Sequence, residues 1–497
     1  MSGAAEPLSL PEPPPALATL EFATLEFAMA PADLPRLARL PGVSRAGGSK
    51  AVNVVWHDTA AGELGGRLLC LAHGGATWRL ERLAPGAGAD WPASSPPPLL
   101  GEATSPALLE PPVPFDTAPV AAFQGRRHSY RTEAGQLGVL CGTLRGVVEE
   151  RPACRLSLVG PAAGLTGLAL SLAVPLRLSV PRGGLAAEAA AVAHCGAPAP
   201  RHLGAPQVPP DQSVSDSLAQ IVAHLLDVLL HWADRCSPDG PTEPVHQARV
   251  ASRRLRSALS IFKHVAACPE LAALAPAVKD CAARLGAARD WDVFLEGTGA
   301  QLAASLPDDA RCTAMLRAGR RRRAQAYAEL RAFLGSPAFR QLELGLACAA
   351  SLRPWDGTAE AAGLQQETGV FAAGVLARRL KRVRHAARGL AGLPTPALHE
   401  LRKDCKRLRY AAEFFVNGFP HQGAKHFLRR LSALQEALGQ LNDAAATSGL
   451  MAQLGRAGRG YAAGVVEGFS AASAGSAREG IGRAWKRFRV AEPFWPA

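Results

Sequence analysis

Apolar positions in the first part of the chain come in short runs cut by turn residues, at 52–56, 68–71, 78–83 and 156–158. Runs of that length bounded by Gly, Pro and Asp predict strands, with a Pro-rich loop across 92–119. The period then changes. Segments 215–233, 244–267, 271–285, 312–334, 371–391, 397–415 and 425–446 carry apolar residues at three- and four-residue spacing, the signature of amphipathic helices. Between the two regimes, 196–213 reads GAPAPRHLGAPQVPPDQS, a linker ending at a polar start signal. The pattern predicts an α+β domain over 18–195 and an all-helical domain over 214–497. Residues 1–17, with Pro11, Pro13, Pro14 and Pro15, read as a disordered leader. A tandem ATLEF at 18–27 is a local duplication with no function assigned to it.

Charge sharpens this division. The 497 residues carry a formal net charge of +13 with 48% hydrophobic residues, enough for a sizeable core and too many for a wholly disordered chain. Residues 1–210 hold 16 basic and 16 acidic residues, so 211–497 carry the entire excess. The N-terminus lacks the basic and apolar regions of a signal peptide. The apolar stretch 162–180 is broken by Pro175 and Arg177, so no bilayer span is expected. The ten cysteines include no CxxC pair and are read as reduced structural thiols in a cytoplasmic protein.

Within the helical half one frame occurs twice. His246-Gln-Ala-Arg249-Val-Ala-Ser-Arg253-Arg254-Leu255-Arg256 is matched by His399-Glu-Leu-Arg402-Lys403-Asp-Cys-Lys406-Arg407-Leu408-Arg409. Each copy is followed by an echo, Leu285-Gly-Ala-Ala-Arg-Asp290 and Leu438-Gly-Gln-Leu-Asn-Asp443, which argues for an internally duplicated bundle. At about 100° per residue, Arg249, Arg253 and Arg256 fall within about 80° of His246, with Leu255, Leu259 and Phe262 opposite. Arg402, Lys406 and Arg409 take the same places relative to His399, while Arg254 and Arg407 fall off the line. Like charges at these spacings destabilise a helix, and no acid interrupts the first stripe. Two such stripes in one register predict walls for a polyanion, because guanidinium forks grip phosphate oxygens in pairs. Lys279, Arg284 and Arg289 are placed to line the same site, and Lys425, Arg429 and Arg430 to extend it. Arg320–Arg323 and Arg378–Arg382 with Arg384 are further basic stretches, each readable as a solvated face. Neither histidine has a carboxylate or Cys recurring at ligand spacing, so no metal is expected.

These residues carry a resemblance. Residues 245–257 (VHQARVASRRLRS), 285–294 (LGAARDWDVF) and 398–410 (LHELRKDCKRLRY) resemble the CHAD domain, the conserved-histidine α-helical domain, over about 211–450. The resemblance implies a duplicated helical bundle whose basic central groove binds inorganic polyphosphate, in members that associate with polyphosphate granules. It implies that His246, Arg249, Arg253, Arg256, His399, Arg402, Lys406 and Arg409 line that groove. Arg254, Lys403 and Arg407 are included among the expected polyphosphate-binding residues.

The front half is similar to CYTH triphosphatase-like domains, which often precede CHAD domains, in the segments 25–36, 56–59 and 168–180. The resemblance implies an antiparallel β-barrel or tunnel. It also shows what is missing. The family's E-x-E-x-K strand, two carboxylates for a divalent metal and a phosphate-binding Lys, falls here on Phe22, Thr24 and Glu26. Its R-x-R pair falls on Cys70 and Ala72, while Arg126 and Arg127 persist in a later strand and Arg182 stands where a Lys is usual. A module without those carboxylates is expected to be catalytically dead and to need no cofactor. The leading expectation is non-catalytic polyphosphate binding; the alternatives are a metal-dependent inorganic triphosphatase and a general nucleic-acid or polyanion binder. Base-stacking aromatics are sparse on the stripes, with only Tyr410 near them.

Overall fold

A computed structural model describes residues 22–83, 99–110, 112–147, 149–193, 203–358, 363–419 and 421–496. The leader, the start of the linker, the start of the Pro-rich loop and Cys195 lie outside the described residues. An antiparallel sheet is built from β1 (Phe22–Ala28), β2 (Ser44–Arg45), β3 (Lys50–Asp58), β4 (Leu69–Gly74), β5 (Thr77–Arg82), β6 (Leu99–Ala103), β7 (Ala118–Thr132), β8 (Gly135–Arg145) and β9 (Glu150–Pro161). Its order is β1-β9-β8-β7-β3-β4-β5-β6, with β2 on β7, so β1 and β6 end a curled half-barrel. Short helices α1 (Leu34–Leu37) and α2 (Glu63–Gly66) lie between early strands, and α3 (Ala162–Ala173) and α4 (Leu185–Ala193) follow the sheet.

Strand alternation sorts the side chains onto two faces. Leu25, Phe27, Leu156 and Leu158 point to the face covered by α3 and are fully buried. Glu26 and Arg155 point to the other face, where Cys70, Ala72, Phe123 and Ala153 pack against Ala186, Ala189 and Val192 of α4. Cys141 of β8 stands opposite Cys154 of β9, and the two are joined as a disulfide. That corrects the expectation of ten reduced thiols: antiparallel pairing sets this pair side by side, which spacing along the chain does not reveal. The described cysteines outside this pair are free and buried.

Among the described residues ten α-helices make up the second half: α5 (Val214–Ala233), α6 (Glu243–Phe262), α7 (Pro269–Glu296), α8 (Thr298–Ser305), α9 (Ala310–Leu334), α10 (Pro337–Leu352), α11 (Thr368–Ala386), α12 (Thr395–Phe415), α13 (His421–Gln453) and α14 (Tyr461–Arg489). Their starts follow capping chemistry. Ser213 accepts from the Asp216 amide, Asp309 from those of Arg311 and Cys312, and Ser336 from that of Phe339. Among the described residues no helix is long and apolar enough to cross a membrane.

Sheet and bundle share one hydrophobic core that runs from Leu25 and Phe27 through α3 into α10 and the repeat helices. Arg182 clamps the seam, donating to Asp234 at 2.7 and 2.9 Å and lying 3.5 Å from Glu343 of α10. The residue expected to stand in for a phosphate-binding Lys is thus engaged in joining the two halves.

Candidate functional site

The duplicated frame is a duplicated packing unit. Both α6 and α12 carry a proline in the first or second position, where a fixed φ suits the first turn. Val245, Ala248, Leu255, Ala258, Ile261 and Phe262 are buried on α6; their counterparts Leu398, Leu401, Leu408, Ala411, Phe414 and Phe415 are buried on α12. Phe262 and Phe415 meet Phe371 of α11 at ring separations of 5.1 and 6.2 Å. With the apolar faces turned inward, the polar face of each helix carries the repeated cations.

The two helices also touch through those polar faces. Arg253 lies over the Tyr410 ring at 5.7 Å, and Arg254 donates to Glu413 at 2.9 Å with both side chains 14% exposed. Arg409 reaches the same carboxylate at 2.7 Å and Gln435 of α13 at 3.4 Å. This contact joins the middle of α6 to the last third of α12. His399 is eleven residues before Tyr410, about 16 Å away along the helix axis. Each histidine therefore lies N-terminal to the contact on its own helix.

Several expected residues are partly occupied. Arg249 donates to Asp290 at 2.6 Å and to the Gly286 carbonyl, docking α6 on α7. Arg289 lies 3.4 Å from Glu296. Lys403 pairs with Glu400 and Arg407 with Asp404, each three residues away. Arg429 donates to His426. Two residues are turned elsewhere. Arg284 pairs with Asp280 and stacks on Phe333 of α9, away from α6. Arg254 is spent within the α6–α12 contact. Arg256, Lys279 and Lys425 are exposed and Arg430 is half-buried, and none has an acidic partner among the described residues. Arg402 and Lys406 are half-buried on the same face of α12.

His246 is held below the ordinary histidine range by burial and by the positive charge of Arg289, with Arg249 and Arg253 adding to it. It is thus neutral at neutral pH, and a polyanion beside it would raise its proton affinity. His399 is exposed. The acids that temper the stripes, Asp290 and Glu413, are the residues that sequence reading missed as partners. Asp290 had a signal, since it closes the echo after the first repeat. The side chains of 440–446, which include the second echo's Asn442 and Asp443, lie outside the described residues.

Residues 220–452 match the CHAD domain. The helical half carries a CHAD domain. Its repeat helices α6 and α12 fall inside the matched span. The crystal structure of the CHAD domain from the plant Ricinus communis is similar at 27% identity, covering 60% of this chain and 99% of that one, with a TM-score of 0.49. PptA from Streptomyces chartreusis is similar at 18% identity, covering 55% of this chain and 100% of that one, with a TM-score of 0.42. No curated protein matches the chain.

In front of the CHAD domain, the curled antiparallel sheet is compatible with a CYTH-like domain. Its inner face carries a balanced charge network. Glu26 and Glu188 flank Arg155, and Arg151 lies 3.8 Å from Glu188. Burial raises the Glu26 carboxyl above the usual carboxylate range despite Arg155. A neighbouring cleft of about 530 Å³ is lined by Arg79 and Arg127 and by Glu81 and Glu102. Cys70 and Ala72 are buried in the same apolar cluster as α4, and Arg126 turns out to Ser49. A divalent ion needs convergent carboxylates, and the three metal-and-phosphate positions here carry Phe22, Thr24 and an arginine-paired Glu26. These residues do not fit the ion. Among the described residues no three His, Cys, Asp or Glu side chains form a metal-holding group.

Proposed function

We propose that the CHAD domain binds inorganic polyphosphate by charge alone, with no covalent step, and that in the cytoplasm this attaches the protein to polyphosphate granules. The observation that carries the reading is the contact between α6 and α12, which sets two copies of one cationic frame against each other inside a CHAD domain. Arg253, Arg256, Lys279, Arg402, Lys406 and Arg409 supply the charge around that contact. A polymer with one negative charge per phosphate satisfies such a row without base or sugar recognition. Tyr410, the aromatic nearest the stripes, is already under Arg253, which leaves no stacking platform for a single-stranded nucleic acid.

The sheet domain acts in this reading as a non-catalytic partner of the bundle. Its inner face is charge-balanced, and its R-x-R positions are small residues buried in an apolar cluster.

Retention of the full chain on immobilised long-chain polyphosphate across a salt series tests the proposal, with single-stranded RNA as competitor. Binding should fall steeply with salt as counterions are retained by the free polymer, and RNA should fail to displace it. Arg253→Glu with Lys406→Glu should abolish retention, whereas Glu26→Gln should leave it intact. Normal binding by the double variant would overturn the assignment. Phosphate release from tripolyphosphate with Mg²⁺ or Mn²⁺ would overturn the non-catalytic reading.

A further inference from the structure

A second concentration of positive charge lies on the other side of α12. The 19 residues of α11 include Arg378, Arg379, Lys381, Arg382 and Arg384 and no Asp or Glu. Arg378, Lys381, Arg382, Arg384 and Arg388 are exposed and have no acidic partner among the described residues. With Arg407 of α12 they line a cleft of about 1020 Å³ that also takes in Pro493 and Trp495 near the C-terminus. Asp404, the acid in its wall, is already paired with Arg407 at 2.8 Å. Arg384 and His385 in the last turn complement the helix dipole. That role does not extend to Arg378, Lys381 and Arg382, which repel one another at three- and four-residue spacing.

The crowding is felt inside the cleft wall. Arg379 is half-buried, donates to the Arg407 carbonyl at 2.6 Å, and is lowered to about 10 by burial and by the charges of Arg407 and Arg382. On α12, Asp404 and Arg407 sit well around the helix from His399 and Arg402, so this cleft is separate from the face that meets α6. Its volume is that of a small-ligand site, not of a track for a polymer. The α11 cations from Arg378 to Arg384 span six residues, about 9 Å of helix, and Arg388 follows just past its end. Trp495 is buried against Phe427 and Phe494 and offers no free ring for a base.

We infer that the α11–α12 cleft is a second anion site, which takes a short oligophosphate and works independently of the α6–α12 stripe. Calorimetric titration of the full chain with tripolyphosphate reads it. Lys381→Glu with Arg382→Glu should weaken tripolyphosphate binding by about tenfold or more while long-chain retention persists through the stripe. Arg256→Glu with Lys279→Glu should do the reverse, leaving tripolyphosphate affinity within about twofold. Wild-type tripolyphosphate binding in the cleft variant, or a tenfold loss in the stripe variant instead, would overturn the inference. Equal competition by an RNA oligomer of matched charge would overturn the oligophosphate class. If the charge reversal unfolds the protein by circular dichroism, Lys381→Gln with Arg382→Gln carries the same expectation at smaller amplitude. Failure of the stripe reading shows separately, as long-chain retention indifferent to Arg256 and Lys279.

Discussion

At the scale of single residues, adjacent cations in one motif do opposite work. Arg254 is tied to Glu413 inside the α6–α12 contact, while Arg256, two residues on, is exposed. Arg254→Ala leaves the half-buried Glu413 carboxylate to Arg409 alone and should cost about 1 kcal/mol of stability, read as a lower midpoint in urea. Arg256→Glu should leave the midpoint unchanged and reduce the slope of log affinity against log salt by about one. The stripe positions were legible because helical periodicity alone separates 249, 253 and 256 from 255, 259 and 262. The partners were not. Whether Arg249 meets Asp290, or Arg284 meets Phe333, depends on which face of α7 packs on α6 and which on α9, and the period of one helix is silent on that.

At the scale of elements, the repeat helices were readable, and so were strands with clear apolar runs. The long strands β7 and β8 were not legible in the apolar pattern, and only the family resemblance put Arg126 and Arg127 in a strand. Arg126 and Arg127 lie exposed in the middle of β7, and Gly138 and Gly142 interrupt β8, so neither presents the pattern of a buried strand. The helix that fills the sheet's inner face was equally hidden, since α4 is an alanine-rich run with a weak amphipathic signal. Its seat depends on a glycine: a Cβ at Gly146 would lie 1.9 Å from the Val192 carbonyl oxygen of α4. Gly146→Ala should therefore displace α4 and lower stability by about 1–3 kcal/mol. Hydrogen exchange should report it as lost protection confined to 185–193 and the strands beneath. Unchanged protection there would show that α4 does not depend on this close approach.

At the scale of the whole molecule, the chain reads as two domains, and the outer face of the sheet packs into the core of the bundle. The sequence contrast between strand-like and helix-like halves is real, yet it hides the seam, because α3 and α10 look like ordinary apolar helices until they are set face to face. Arg182 gives the seam a titratable element. Burial raises the Glu343 carboxyl to about 7, against an ordinary value near 4.5. Asp234, hydrogen-bonded through both oxygens, is the partner that holds the Arg182 charge. A carboxyl raised in the folded state holds its proton there between about 4.5 and 7, where the unfolded chain has lost it. Stability from this group is full below the ordinary value and is lost as pH rises through about 7. Glu343→Gln should remove that decline, giving a flatter curve of unfolding midpoint against pH between 5 and 8 with its gain at the alkaline end. An unaltered curve would place the titration elsewhere.

The shared core also divides the sheet into two surfaces on which a substitution has unequal reach. Its outer residues, Leu25, Phe27, Leu156 and Leu158, belong to the same packed cluster as the helices of the bundle, so drift there is paid by the whole protein. Its inner residues answer mainly to one another: Glu26 to Arg155, Arg155 to Glu188. A paired charge exchange on the inner face is therefore absorbed locally, without disturbing the core that the sheet shares with the bundle. The sheet's outer face thus ties its fold to the bundle, whatever stands on the inner one.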